Sequence, residues 1–249
     1  MAGRTAVTAR GAAPALAALA AVATVTAVTM ALTGCASGSS SARPDGPPGG
    51  RVPAGTGYTS DQLEQALLTD LTGYRQTAEP ESGEYGALRA IQNLAQLQRQ
   101  VKLDKPQCAA ATRTFDASPD VQNAPAAIAT FEKGFGQYAT EALLAVPDDV
   151  AEHLVRLRVP TGCRSFHSTV GGRVSTHQVV EATRGRLGEG SRTVGVGTAT
   201  GSSRVKTWYV VVRSPGFLAT VTLYGPNATR VEAEQIARRA HEWAGRRLS

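Results

Sequence analysis

The sequence predicts an α+β domain: a twisted antiparallel β-sheet with helices packed on one face, fastened by one disulfide. Three observations carry that prediction. Residues 205 to 224 hold two apolar runs around Ser214-Pro215-Gly216, the pattern of a hairpin. Residues 229 to 247 follow helical spacing from a capping residue to a basic end. Before about residue 125 the apolar spacing is helical, and beyond it strand-like runs take over. Segregation of helices from strands along the chain is the habit of α+β folds.

Taken in order, Thr59 or Ser60 caps a short helix carrying Leu63, Leu67 and Leu68 and ending before Gly73. A second helix is predicted from about Tyr85 to Val101, with Leu88, Ile91, Leu94, Ala95 and Leu97 at helical spacing. Pro106 and Cys108 open another short helical stretch. Residues 126 to 132 and 137 to 146 flank Gly134 and Gly136 as a hairpin. Pro147-Asp148-Asp149 starts a helix with Val150, Leu154 and Leu157 on one face. Residues 164 to 170 and 174 to 182 flank Gly171-Gly172 as a further hairpin, and 192 to 198 adds a strand.

The hairpin at 205 to 224 has a predictable register. Pairing residue 214 with 217 puts Trp208, Val210 and Val212 beside Phe217, Ala219, Val221 and Leu223, an entirely apolar face. The other face holds Thr207, Tyr209, Val211 and Arg213 beside Leu218, Thr220, Thr222 and Tyr224. A slip of one residue would mix the two sets. Thr229 and Glu232 have capping-box spacing. Ala233, Ile236, Ala237, Ala240, Trp243 and Ala244 then form a stripe suited to the Trp208/Phe217 face.

The N-terminal residues have a different character. Arg4 and Arg10 precede an apolar stretch that closes at Leu32-Thr33-Gly34-Cys35, the layout of a secretory signal peptide. The four closing residues resemble the lipobox of bacterial lipoproteins. That resemblance implies cleavage before Cys35, diacylglycerol on its sulfur, and attachment at the extracytoplasmic face of the cell membrane. Residues 12 to 33 are also long enough for an uncut span, but Ala and Thr make them only mildly apolar. The expected organisation is a signal peptide over 1–34, a lipidated Cys with a Gly/Ser/Pro linker over 35–58, and one domain over 59–249. With Cys35 acylated, Cys108 and Cys163 remain as a pair in an oxidising compartment and are expected to bond. The net charge of +6 falls to about +4 without Arg4 and Arg10. With no basic block and with export expected, nucleic acid is excluded as a partner.

Candidate chemistry is sparse. His167 and His177 sit on the two strands around Gly171-Gly172. A three-residue turn would set them opposite each other within reach of a shared metal ion, and a two-residue turn would set them on opposite faces. No neighbouring carboxylate offers a third ligand, so neither a metal site nor a cofactor is predicted. Ser165 and Ser168 flank His167, but adjacent strand residues point to opposite faces, and no Gly-x-Ser-x-Gly elbow exists. No catalytic residue is predicted. Arg156, Arg158 and Arg164 cluster around Cys163 and read as solvated surface, with a site for an anionic ligand as the alternative. The mixed hairpin face is the candidate ligand-binding surface, with Tyr209, Thr220, Thr222 and Tyr224 and with Arg213 near its end. The competing reading is a sheet face half exposed or covered by another layer.

The sequence resembles the extracellular sensor domain of actinobacterial serine/threonine protein kinases and its free-standing lipoprotein relatives, which have PsbP-like α+β folds. The likeness lies in Leu67 to Tyr74 (LLTDLTGY), Pro106-Gln107-Cys108, the hairpins at 164–182 and 205–224, and the closing helix, in that order. Members of that family often have two disulfides and a Trp shortly before a Cys. Here one pair remains, and Cys163 follows Val159-Pro160-Thr161-Gly162. The resemblance implies a non-enzymatic cleft for an extracytoplasmic ligand, a small molecule or a cell-envelope component. The alternatives are a module that docks on an envelope protein or polymer, and a hydrolase whose residues converge from distant segments.

Overall fold

A computed structural model describes residues 57–112, 118–181 and 185–248. Cys35, the expected signal peptide and most of the linker lie outside the described residues. The chain begins with helix α1 (Ser60–Gln65), capped by a reciprocal box in which Thr59 and Gln62 each bond the other's backbone N–H. Strands β1 (Arg75–Gln76) and β2 (Glu81–Glu84) follow. Then come a 3-10 turn (Tyr85–Ala87), helix α2 (Arg89–Arg99) and strand β3 (Lys102–Leu103). A second 3-10 segment (Pro106–Thr112) and the short α3 (Pro119–Gln122) lead into β4 (Pro125–Lys133) and β5 (Gln137–Leu144). Helix α4 (Asp148–Arg156) precedes β6 (Ser165–Val170), β7 (Arg173–Glu181) and β8 (Gly190–Thr200). The long hairpin of β9 (Ser203–Ser214) and β10 (Phe217–Gly225) and helix α5 (Arg230–Arg247) complete it.

Among the described residues ten strands form one antiparallel sheet in the order β1-β4-β5-β10-β9-β8-β7-β6-β3, with β2 also paired to β4. The β9–β10 register is the expected one, with Ser214 opposite Phe217 and Trp208 opposite Leu223. Its apolar face packs under α5 and α1. Val210, Val212, Ala219, Val221 and Leu223 meet Ala233, Ile236, Ala237, Ala240 and Ala244 from α5 and Leu63, Leu67 and Leu68 from the first helical segment. Thr229 caps α5 by accepting from the Glu232 N–H. Trp243 Nε1 donates to the Leu67 carbonyl at 2.9 Å and ties α5 to that segment.

The expectation of helices on one face needs correction. Helix α4 lies on the opposite face, where Ala151, Leu154 and Val155 join Val211, Leu218, Ile128 and Leu144 in a second core with Leu88 and Val121. The physical reason is that Val211, Leu218, Ile128, Ala142 and Leu144 make one end of that face apolar, and an apolar patch requires a cover. A third core surrounds the Cys108–Cys163 disulfide, which closes a 55-residue separation and packs with Phe166, Val179, Val194 and Val196. Among the described residues, the buried members of the three cores lie between Leu63 and Leu248. Among the described residues no helix is long and apolar enough to cross a membrane.

Candidate functional site

The strand registers set the mixed face in rows. One row runs Ile128, Ala142, Thr220, Val211; the next runs Thr130, Thr140, Thr222, Tyr209; the next runs Glu132, Tyr138, Tyr224, Thr207. The first row is buried under the α4 layer. In the second and third rows cover gives way on β4, β5 and β10. Thr130, Thr140 and Thr222 are half-buried, and Tyr138 and Tyr224 are exposed with ring centroids 6.5 Å apart. On β8 and β7 the disulfide core resumes the cover over Val194, Val196 and Val179. An open quadrant is thus bounded on two sides by packed layers. Its floor is three hydroxyls and its rim two phenols.

A groove of about 530 Å3 adjoins this quadrant and shares Glu132 and Tyr138 with it. Gly73, Tyr74, Arg75 and the β4–β5 turn complete the lining. Phe135, between Gly134 and Gly136, is 91% exposed and adopts a left-handed φ of 66°. Behind the groove, Gln137 Nε2 donates to the Tyr74 hydroxyl at 2.7 Å and to Glu232 at 2.9 Å. The Tyr74 hydroxyl donates to Glu232 at 3.0 Å, and Lys133 Nζ donates to the same oxygen at 3.1 Å. Burial first, and then the Glu232 carboxylate, push the Tyr74 phenol up to about 12, although the Gln137 bond opposes this. For Glu232, burial works upward, and the bonds from Lys133, Tyr74 and Gln137 outweigh it, so its carboxyl sits below the usual range. Arg75 pairs with Glu132 at the groove's edge.

The five residues expected to bind ligand are divided by the structure. Thr222 and Tyr224 lie on the open quadrant. Thr220 is buried in the α4-covered row, and its hydroxyl donates to the Ala142 carbonyl at 3.3 Å. Tyr209 packs against the disulfide core, and burial pushes its phenol up to about 12. Arg213 lies at the far end of the hairpin, 3.3 Å from Glu189. Thr130, Thr140 and Tyr138 escaped sequence reading because they reach this face only through pairing of β5 with β10, about 80 residues on. Their alternation within β4 and β5 was the available signal.

The two histidines lie on opposite faces, because the turn has two residues and Val170 pairs with Arg173. His167 Nδ1 is 3.0 Å from Asp104. The Asp104 carboxyl is held below its usual range, first by the bond from the His167 backbone N–H and then by its side chain. His177 stacks on Phe166 and bonds Ser168 Oγ at 2.7 Å and Thr198 Oγ1 at 3.0 Å. A second Ser–His pair joins Ser214 to His241 Nδ1 at 2.6 Å. Both serines are buried. A nucleophile needs access to its substrate and a base oriented by a third group, and here the His177 partner is a threonine rather than a carboxylate. Among the described residues no three His, Cys, Asp or Glu side chains converge as metal ligands would.

Comparison with solved structures finds a match over most of the chain. The extracellular domain of PknH from Mycobacterium tuberculosis aligns over 76% of this chain and 97% of its own, at 12% identity and a TM-score of 0.54. The two share a fold. The fold expected from the sequence resemblance is therefore present, down to the order of sheet, disulfide segment and closing helix in this chain. An uncharacterized protein from Mycobacterium smegmatis aligns over 76% of this chain and 94% of its own at 16% identity, with a TM-score of 0.41. No family model matches the sequence, and no curated protein matches it.

Proposed function

We propose that this chain is a non-enzymatic, extracytoplasmic binding domain, held at the membrane by a diacylglycerol anchor on Cys35, that receives a hydroxyl-bearing ligand such as a short glycan fragment of the cell envelope. The observation that carries the reading is the open quadrant of Thr130, Thr140 and Thr222 under Tyr138 and Tyr224. Packed layers bound it on two sides, and it continues into the groove beside Phe135. Aromatic faces offer apolar contact to sugar rings, and threonine hydroxyls donate to and accept from ring hydroxyls. The Arg75–Glu132 pair adds charged partners at the edge. The disulfide and the fold shared with an extracellular domain support the location.

Tyr138→Ala with Tyr224→Ala removes the rim without touching the cores, since both rings are exposed. Titration calorimetry with soluble cell-wall saccharides is expected to show binding by the unaltered protein and at least about tenfold weaker binding by the double variant. Binding unaffected by the pair would refute the assignment of this quadrant. Tyr209 is unsuitable for this purpose, because its truncation would open the disulfide core.

A further inference from the structure

Helix α2 packs Ala90 and Ile91 against the second core and leaves the rest of its apolar arc open. None of its residues is buried, and Leu94 and Leu97 are 50% and 61% exposed. Three-residue spacing sets them side by side on one edge of the helix. Val101 then leads into β3, where Lys102 is registered with Thr169 and Thr169 with Val174. The open edge of α2 therefore runs on toward the tip of the β6–β7 hairpin. There Val170 is exposed beside Arg173 on one face, and Val174 is exposed on the other, in the row of Lys102.

The charge on these segments has one sign. Residues 85 to 103 hold Arg89, Arg99 and Lys102 and no Asp or Glu; residues 164 to 180 hold Arg164 and Arg173 and no Asp or Glu. Acids occur only at the margins. Glu84 is exposed just before the 3-10 turn, Glu81 lies 3.7 Å from Arg89 at the start of the helix, Asp104 past β3 is bonded by His167, and Glu181 ends β7. An amphipathic helix with an open apolar edge and basic flanks is suited to lie in a lipid interface. Anionic headgroups complement its charge. A second copy of the chain would instead bring the same positive charge against itself.

We propose that α2 and the tip of the β6–β7 hairpin form a surface that docks on an anionic lipid bilayer. The docking is separate from acylation and from the ligand quadrant. Residues 57–249, which contain the described residues of all three cores and lack Cys35, isolate it from the anchor. Co-sedimentation with vesicles of phosphatidylcholine alone and with about 30 mol% phosphatidylglycerol tests it. The expected result is binding to the anionic vesicles only, weakened by salt. Leu94→Asp with Leu97→Asp, and separately Arg99→Gln with Arg173→Gln, should each weaken binding more than about tenfold while the melting temperature holds. Three results would overturn the proposal: no binding to anionic vesicles, binding that survives both pairs, or self-association that Leu94→Asp/Leu97→Asp abolishes in a domain that ignores vesicles.

Discussion

Glu141 should make the fold less stable as the pH rises. It is 1% exposed on β5, between Ala129 and Val221 on the flanking strands. Its side chain lies on the face that packs under α1 and α5. One carboxyl oxygen accepts from the Leu68 N–H at 2.9 Å, just beyond α1, and the other has no partner among the described residues. Burial pushes the carboxyl up from 4.5 to about 8, against the opposing effect of the Leu68 bond. The acid is therefore neutral in the folded state at pH 7 and ionised in the unfolded chain. The sign follows from linkage. Its contribution is complete below pH 4.5, declines as the pH climbs toward 8, and is flat beyond. At about 1.4 kcal/mol per unit, the full loss is roughly 5 kcal/mol.

Glu141→Gln keeps an acceptor for the Leu68 N–H and removes the titration. Its new amide N–H groups lack a partner, a cost of about 1–3 kcal/mol at every pH. At pH 5 the variant is expected to be slightly less stable than the unaltered protein, and at pH 9 more stable by a few kcal/mol. Urea unfolding of both proteins at pH 5, 7 and 9, with the disulfide intact, measures the difference. Every other titrating group is common to the two, so the difference reports Glu141 alone. A stability gap that stays constant between pH 5 and 9 would show that this carboxylate is not held neutral in the fold.

Replacing Cys108 and Cys163 by Ser should lower stability by about 4 kcal/mol from loop entropy, read as a shift in the urea midpoint. A shift below about 1 kcal/mol would mean that the third core holds the 106–112 segment unaided. Gly195→Ala should cost about 1–3 kcal/mol, because its Cβ would meet the Trp208 ring at 2.5 Å, and that ring is held by a bond from Nε1 to the Ala228 carbonyl. An unchanged melting temperature would show that the ring yields freely.

Most of the fold was legible where a long element carried its own pattern. The β9–β10 register could be read because every residue on one face is apolar, so a slip carries a penalty at each position. Helix α5 could be read from Thr229 and its alanine stripe. Strands β1 and β3 have two residues each, too few for any alternation to show. Helix α2 exposes a different limit. Its periodicity announces an amphipathic helix, but spacing does not say whether the apolar arc meets the core, and here Leu94 and Leu97 do not. The candidate site was half legible. Thr222 and Tyr224 belong to the readable hairpin, whereas Thr130, Thr140 and Tyr138 depend on a pairing between distant segments. Glu141 was missed because one charge in an otherwise apolar alternation, between Ala139 and Leu143, reads as an edge rather than as a buried acid.

The contrast between the two sheet faces argues for the quadrant as a binding floor. On the face under α5, β4, β5, β9 and β10 are apolar at nearly every core position, with Glu141 the exception. On the other face the same four strands change character within one step: Ile128 gives way to Thr130, Ala142 to Thr140, Thr220 to Thr222, and Val211 to Tyr209. A merely solvated sheet face tends to carry Lys, Glu and Arg, and this one carries Glu132 paired with Arg75 and otherwise hydroxyls and phenols. Strand propensity favours Thr and Tyr wherever a strand is half-buried, so composition alone would not distinguish a floor from a bare surface. Position does. The chain enters the fold at Tyr58, whose hydroxyl bonds the Leu248 carbonyl and whose ring meets Phe217. Strand β10 carries Thr222 and Tyr224 about 20 Å away from that point. The quadrant therefore lies at the end of β10 remote from the Tyr58–Leu248 contact, clear of the α4 and disulfide layers that cover its neighbours.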